Sequence, residues 1–236
     1  MARRLFFVSE IRREHAVITG DDAQHLTRVL RVEPGHLYEI SDNSALYLAE
    51  VETARKSEVV FKIKEKLPPP PPPLAITLYP AVFKFDHFEW MLEKVTELGA
   101  ARIVPVIAER TDHGLDRAAA KRVERWRKIV LEASQQCRRM ILPEVDGPIP
   151  FAQALSQSDT ARLFLDEAAP RTSALKPSSI HTSILIGPEG GWPAREREQA
   201  IAAGWTPVSL GPRILRAETA AIAAMAILGQ EMAQPE

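Results

Sequence analysis

The chain has 236 residues, of which 45% are hydrophobic and 26% charged, and its formal net charge is −1 at pH 7. These values are typical of a globular protein with one large or two small domains, and they exclude a polycation that binds nucleic acid over its whole surface. The single cysteine, Cys137, excludes an intramolecular disulfide and a cysteine-based zinc site. Because no segment resembles a signal peptide or a membrane span, we expect a cytoplasmic protein without a membrane partner.

Residues 1–67 are predicted to form a small β-rich barrel with one helix. Short alternating or β-branched runs predict strands over residues 5–8, 16–19, 37–41, 46–53 and 59–64. Between them, residues 21–30 form a predicted helix that Asp21 or Asp22 can cap, with Leu26, Val29 and Leu30 as its apolar stripe.

An unbroken run of six prolines, residues 68–73, separates this part from the remainder. Such a run adopts polyproline II and acts as a semi-rigid spacer. It therefore predicts a linker between a domain over 1–67 and a domain over 74–236.

Residues 74–236 alternate predicted strands with predicted helices, which indicates an α/β domain with a mostly parallel sheet and helices on both faces. The predicted strands are residues 74–80, 103–108, 162–165, 184–186 and 206–210. The predicted helices are residues 86–98, 116–137, 194–203 and 217–233. Residues 116–139 hold eight Lys or Arg against three acids, and this basic face is either solvated or in contact with phosphates.

Two of these strands run directly into glycine-proline loops. The first strand is followed by GPEGG at residues 187–191, after which Pro193 is predicted to take the first helical position. The second strand is followed by the segment LGPRILRAETA at residues 210–220. We expect the two loops at the carboxyl ends of neighbouring strands, where open α/β sheets bind ligands. Neither a P-loop nor a GxGxxG motif is present. Taken alone, both loops could also be ordinary turns.

Residues 184–191 together with 210–220 resemble the C-terminal signature of the RsmE family of ribosomal RNA methyltransferases. HLTRVLR at residues 25–31 and EKVTELG at residues 93–99 also match that family. The resemblance implies a SPOUT-type trefoil-knot methyltransferase domain, a PUA-like RNA-binding N-terminal domain and a homodimer. It also implies S-adenosylmethionine as methyl donor, with no metal. Two segments, residues 83–88 and 136–139, depart from the family pattern.

The resemblance also implies the site residues. Those expected to hold the donor are Gly187, Glu189, Gly190, Gly191, Leu210, Gly211 and Leu215. Those expected to contact RNA are His25, Arg28, Arg31, Arg110 and Arg213. Without the resemblance, the glycines could be turn residues, the leucines core residues, and the polar side chains ordinary surface.

The implied activity is methylation of N3 of one uridine near the decoding site of 16S ribosomal RNA, within the small subunit. The uracil imide is weakly acidic, so this reaction needs a proton acceptor or a cation that stabilises the developing negative charge. Glu189 and Glu218 are the candidate acceptors, although Glu218 could instead cap the last helix. Arg213 and Arg216 are candidates for the cation or for phosphate contacts, with Arg216 favoured as the cation, although both could instead pair with acids. The alternatives are a SPOUT methyltransferase with another RNA target and a non-catalytic ribosome-assembly factor.

Overall fold

The structure is a computed structural model that describes residues 4–69, 75–157, 161–169 and 181–232. Two compact units are found, one combining Met1–Pro72 with Ser134–Leu142 and the other combining Pro73–Ala133 with Pro143–Glu236. Pro70 to Pro73, most of the predicted linker, lie outside the described residues.

The first unit is a curled sheet with one helix. Its described strands are β1 (Leu5–Phe7), β2 (Ile11–Arg12), β3 (His15–Thr19), β4 (Leu37–Ser41), β5 (Leu46–Arg55) and β6 (Glu58–Lys66). They lie in the order β1-β4-β5-β6-β3-β2, with only β1 and β4 parallel among the pairings described. Register shifts in the β5–β6 pairing mark bulges, which bend strands and increase their twist. The predicted PUA-like domain is confirmed, as a half-barrel rather than a closed barrel.

The helix of this unit, α1 (Gly20–Arg28), starts one residue earlier than predicted. Thr19 holds the N-cap position, so the prediction that Asp21 or Asp22 caps the helix is wrong. Both acids lie in the first turn, where their negative charge interacts favourably with the helix dipole. Leu26 is buried as predicted, but Val29 is 64% exposed and does not belong to the apolar stripe.

Residues 134–142 attach to the strand β4 and the turn after it within the first unit. Ser41 Oγ donates to the carbonyl oxygen of Met140 at 2.6 Å, and Asn43 Oδ1 accepts the Leu142 N–H at 2.7 Å. Arg138 forms an ion pair with the buried Glu39. The family-atypical segment 136–139 therefore has a structural role inside this unit.

The second unit is an α/β fold. Its described strands are β7 (Ala75–Pro80), β8 (Arg102–Ile103), β9 (Val106–Ile107), β10 (Glu144–Val145), β11 (Ile149–Pro150), β12 (Ala161–Leu165), β13 (His181–Ile186) and β14 (Thr206–Val208). The remaining described helices of the chain are α2 (Phe85–Glu97), α3 (Leu115–Cys137), α4 (Phe151–Leu155), α5 (Ala194–Ala202) and α6 (Ala217–Met232).

Six strands form the main sheet in the order β10-β8-β7-β13-β12-β14, and every pairing described in it is parallel. The strand predicted over 103–108 is wrong as one element, since Pro105 separates β8 from β9 and β9 pairs with β11 in a separate two-stranded sheet. Proline has no N–H to donate to a ladder. The prediction that β13 and β14 are neighbours is also wrong, because β12 lies between them.

Two apolar layers cover the faces of the main sheet, as the alternation of side chains in β13 requires. Ile184 and Ile186 belong to a core that includes residues of α2, α3 and α6. Leu185 belongs to a second core, with residues of α4 and α5. Helices on both faces explain why these strands read as continuous apolar runs. Within the described residues, no helix is long and apolar enough to cross a membrane.

Candidate functional site

A cavity of about 310 Å³ lies at the carboxyl edge of the main sheet, lined by the residues that follow β12, β13 and β14. Its volume is within the range of roughly 300–1,000 Å³ that is usual for small-ligand sites. The seven residues predicted to hold the donor all line it: Gly187, Glu189, Gly190, Gly191, Leu210, Gly211 and Leu215. The two predicted loops thus meet, although a third strand separates the strands that carry them.

The loop after β13 is fixed by a buried tryptophan. Trp192 is 1% exposed, its indole N–H donates to the carbonyl oxygen of Leu165 at 2.9 Å, and its ring contacts the rings of Phe151 and Phe164. A Cβ at Gly187 would lie 3.0 Å from the indole nitrogen. The first glycine of GPEGG is therefore required by close approach to Trp192.

The acidic pair Asp166 and Glu167, which follows β12, contributes charge to the cavity wall. Arg197 of α5 donates to both carboxylates at 2.9 Å, and the hydrogen bond with Asp166 is the main cause that raises the pKa of Arg197. The sequence alone assigned this pair no function, because the position of β12 in the sheet was not known. The signal was an acidic pair at the carboxyl end of a parallel strand.

Arg110 connects the segment after β9 to the same loop. Its guanidinium donates to the carbonyl oxygen of Gly190 at 2.6 Å. The adjacent Glu109 N–H donates to Glu196 Oε1 of α5 at 2.9 Å, and burial raises the pKa of Glu196. Arg110, predicted to contact RNA, is exposed and also supports the backbone of the cavity.

Two basic side chains, His87 and Lys84, lie close to Glu189, which lines the cavity. His87 Nδ1 is 3.8 Å from Glu189 Oε1 and 3.4 Å from Glu218 Oε1. Lys84 Nζ is 3.7 Å from Glu189 Oε2. The two glutamates predicted as proton acceptors are thus brought to one histidine, which sequence reasoning did not single out as a functional residue.

The two candidate arginines of the second loop lie in different positions. Arg213 is exposed and lines the cavity. Arg216 is exposed just before α6 and is not among the residues that line it. The carbonyl oxygen of Arg216 accepts the Ala220 N–H at 2.8 Å, within the first turn of the helix.

The predicted RNA-contacting residues of the first unit are all exposed at α1 or just after it. His25 and Arg28 belong to the helix, and Arg31 follows it with a positive φ of 52°. A left-handed backbone at an arginine costs about 1–2 kcal/mol. Because such strain is often found at functional sites, it supports a test of the Arg31 side chain for RNA binding.

Comparison with known proteins decides the family. Residues 70–229 match the family model of an RNA methyltransferase domain, and residues 18–64 match an RNA methyltransferase PUA domain. Ribosomal RNA small subunit methyltransferase E of Synechocystis is 36% identical, over 96% of this chain and 77% of that protein. The protein of the same name from Aquifex aeolicus is 31% identical, over 94% of this chain and 97% of that protein. The chain belongs to the ribosomal RNA small subunit methyltransferase E family. The resemblance read from the sequence is confirmed.

Solved structures agree with this membership. A methyltransferase E from Neisseria gonorrhoeae, bound to S-adenosyl methionine, has a TM-score of 0.85 and 31% identity, with 96% of each chain covered. A methyltransferase from Legionella pneumophila with bound SAM has a TM-score of 0.86 and 29% identity, with 98% of each chain covered. Among the described residues of this family member, no group of three or more His, Cys, Asp or Glu could hold a metal ion.

Proposed function

We propose that this protein transfers a methyl group from S-adenosylmethionine to N3 of one uridine near the decoding site of 16S ribosomal RNA. The observation that carries the proposal is the meeting of the GPEGG and LGPRILR loops at one cavity beside Glu189. Membership of the family supports the reaction class, and the names of the relatives support the small-subunit RNA as substrate.

The residues of the cavity fit the donor. Glycines at 187, 190 and 191 leave main-chain groups accessible for hydrogen bonds to the adenosine part. Leu210 and Leu215 supply apolar surface suited to the adenine ring. Asp166 and Glu167 supply negative charge that suits a sulfonium and an α-ammonium group. We assign donor binding to all seven predicted residues and add these two acids.

The acceptor side needs a group that removes the N3 proton and a group that stabilises the negative charge on uracil. Glu189 lines the cavity and is our candidate for the first role. Arg213 also lines the cavity, and we propose that it faces the acceptor. Arg216 follows in the same loop but does not line the cavity. We propose that it contacts the bound RNA outside the cavity.

RNA contacts are proposed for His25, Arg28 and Arg31 in the N-terminal part and for Arg110 and Arg213 in the C-terminal part. Their exposure and charge support this assignment. We also propose the domain limits 1–67 and 74–236, with the proline run as linker and with residues 134–142 of the second domain folded into the first compact unit. The matched PUA and methyltransferase regions support these limits. The assembled small subunit remains the proposed context of the reaction.

A trefoil knot and a homodimer complete the proposal. Both rest on the resemblance to the SPOUT superfamily. The dimer is further supported by three apolar side chains on α2, α6 or their ends that remain exposed: Trp90 at 49%, Ile227 at 38% and Leu98 at 37%. Light scattering should give twice the mass of the chain, and the mass of one chain would contradict the dimer.

The function is tested by incubating the protein and labelled S-adenosylmethionine with unmodified small subunits and, separately, with their naked 16S RNA. Nucleoside mass spectrometry then identifies the product. We expect 3-methyluridine. If the protein binds the donor but forms no 3-methyluridine on either substrate, the proposed acceptor is wrong. If calorimetry detects no donor binding, the proposed activity is wrong.

A further inference from the structure

His87 lies between a cavity-facing carboxylate and a buried one. Its Nδ1 atom lies 3.4 Å from Oε1 of Glu218 and 3.8 Å from Oε1 of Glu189. Glu189 lines the cavity, whereas Glu218 is 4% exposed in the first turn of α6. We call the three residues Glu189, His87 and Glu218 the His87 triad.

The buried end of the triad lacks the partners that a buried carboxylate normally has. Among the residues that the structure describes, Glu218 Oε2 has no hydrogen-bond partner, and neither has His87 Nδ1. Removing a charged or polar group from water without a partner is costly. The imidazole of His87 is the one ion-pair partner found for Glu218 in the described part of the chain. A proton that arrives on Nδ1 would therefore be stabilised by Glu218.

The other charged groups around the ring define its setting. Asp86, the residue before His87 in α2, has Oδ2 3.8 Å from His87 Nε2. Lys84, just before α2, lies 3.7 Å from Glu189. Negative groups thus lie near both ring nitrogens, at 3.4–3.8 Å.

We propose that His87 is a proton relay for the reaction, in which Glu189 takes the proton of the acceptor base and passes it to His87 Nδ1. This inference rests on the proposed function. It assigns a role to a residue of the 83–88 segment, which departs from the family pattern. Glu218 acts through His87 as a positioning residue, since it does not line the cavity.

The step is balanced as follows. The N3–H bond of uracil breaks, its electron pair stays on N3, and the proton goes to a carboxylate oxygen of Glu189. The bound donor supplies an electrophilic methyl carbon. N3 bonds to that carbon while the carbon–sulfur bond breaks with its electron pair going to sulfur. The Glu189 carboxyl then closes from 3.8 Å to hydrogen-bond distance and gives the proton to the free Nδ1 of a neutral His87. The imidazolium formed pairs with Glu218 before it loses the proton to water.

The relay is tested with His87→Gln and Glu218→Gln, with His113→Gln as the matched control. His113 is an exposed histidine of the same unit to which no catalytic or binding role is assigned. General acid–base groups contribute roughly 10²–10⁴-fold. We expect kcat to fall by about 10²-fold in His87→Gln, with donor affinity by calorimetry unchanged. We also expect the pH dependence of kcat to change in both triad variants, with no change in either quantity for His113→Gln.

A measurement on the unmodified protein does not depend on activity. Nitrogen-15 NMR of the histidine rings reports which ring nitrogen carries the proton. At the pH of full activity we expect His87 Nδ1 without a proton and Nε2 with one, and a resting Nδ1–H would overturn the relay. His87→Gln with the kcat and pH profile of the wild type would also overturn it. Absence of 3-methyluridine from the wild-type reaction would instead contradict the proposed function.

Discussion

Substituting Gly187 by alanine should distort the cavity that we propose for the donor, through a contact with Trp192 that is seen in the structure. The added Cβ would lie 3.0 Å from Nε1 and 3.1 Å from Cε2 of Trp192. Trp192 is 1% exposed and contacts Phe151 and Phe164, so its ring has little space to move aside. The expected response is a shift of the ring that weakens its hydrogen bond to the carbonyl of Leu165.

The size of the effect follows from three contributions. Overpacking a buried site costs about 1–3 kcal/mol, and a weakened hydrogen bond adds about 0.5–1.5 kcal/mol. Replacing glycine by alanine restricts the unfolded chain and returns about 0.4–1 kcal/mol. We therefore expect Gly187→Ala to lower the free energy of unfolding by about 0.5–4 kcal/mol. A comparable distortion of the cavity should weaken donor binding about tenfold, which corresponds to about 1.4 kcal/mol.

Chemical denaturation and calorimetric titration with S-adenosylmethionine measure the two effects. Gly147→Ala is the matched control, since a Cβ at that position meets no atom within 4 Å and its φ is not in the left-handed region. The control should be as stable as the wild type or slightly more stable, and it should bind the donor normally. If Gly187→Ala unfolds and binds like the control, the packing of Trp192 does not determine the shape of the cavity.

Three other predictions concern charge and backbone strain. Glu89 is paired with Arg122 and Arg125 at 2.8 Å, and these hydrogen bonds, chiefly that from Arg125, lower its pKa. Its contribution to stability is present above the ordinary carboxyl pKa and is lost as the pH falls through the lowered one. Glu89→Gln should lower the free energy of unfolding at pH 7 by about 1–2 kcal/mol, reduced by the exposure of both arginines, and an equal loss at pH 2 would contradict the ion-pair explanation. Burial raises the pKa of Glu196, so wild-type stability should fall as the pH rises from the ordinary carboxyl value towards the raised one. In Glu196→Gln this fall in stability should be absent. If the difference in free energy of unfolding between variant and wild type is the same at pH 4 and at pH 8, the raised pKa of Glu196 does not affect stability. Arg31→Gly should raise stability by about 1 kcal/mol by relieving its φ of 52°, while weakening 16S RNA binding. Arg31→Ala should weaken binding without the gain, and unchanged binding in both variants would remove Arg31 from the RNA surface.

That the residues proposed to hold the donor line one cavity could be predicted, because they belong to two motifs that are each local in sequence. Gly187 to Gly191 and Leu210 to Leu215 are two short motifs, each of which follows a strand, and a strand end fixes the edge of the sheet on which its loop lies. Periodicity likewise predicted most helices and the longer strands to within a few residues. The pieces it missed, β2, β10, β11 and α4, are two to five residues long and too short for a period to be recognised.

Strand order could not be predicted, because it depends on crossovers rather than on any residue of the strands themselves. Because β12 lies between β13 and β14, Asp166 and Glu167 line the cavity. No local sequence pattern predicts that position of β12. The contact of His87 with Glu218 joins two helices distant in sequence. Pro193 was expected inside the first turn of α5, yet it occupies the N-cap position, a shift of one residue that propensity does not resolve.

The central claim, that this protein methylates N3 of a single uridine, is tested most directly by reverse transcription of treated 16S RNA. A methyl group on N3 removes the imino hydrogen that pairs with adenine, so copying should stop next to the modified base. After reaction of wild-type protein with unmodified small subunits and S-adenosylmethionine, we expect one new stop beside a uridine near the decoding site. Gly187→Ala should reduce that stop at limiting donor concentration. No new stop, or stops scattered over many uridines, would contradict the account.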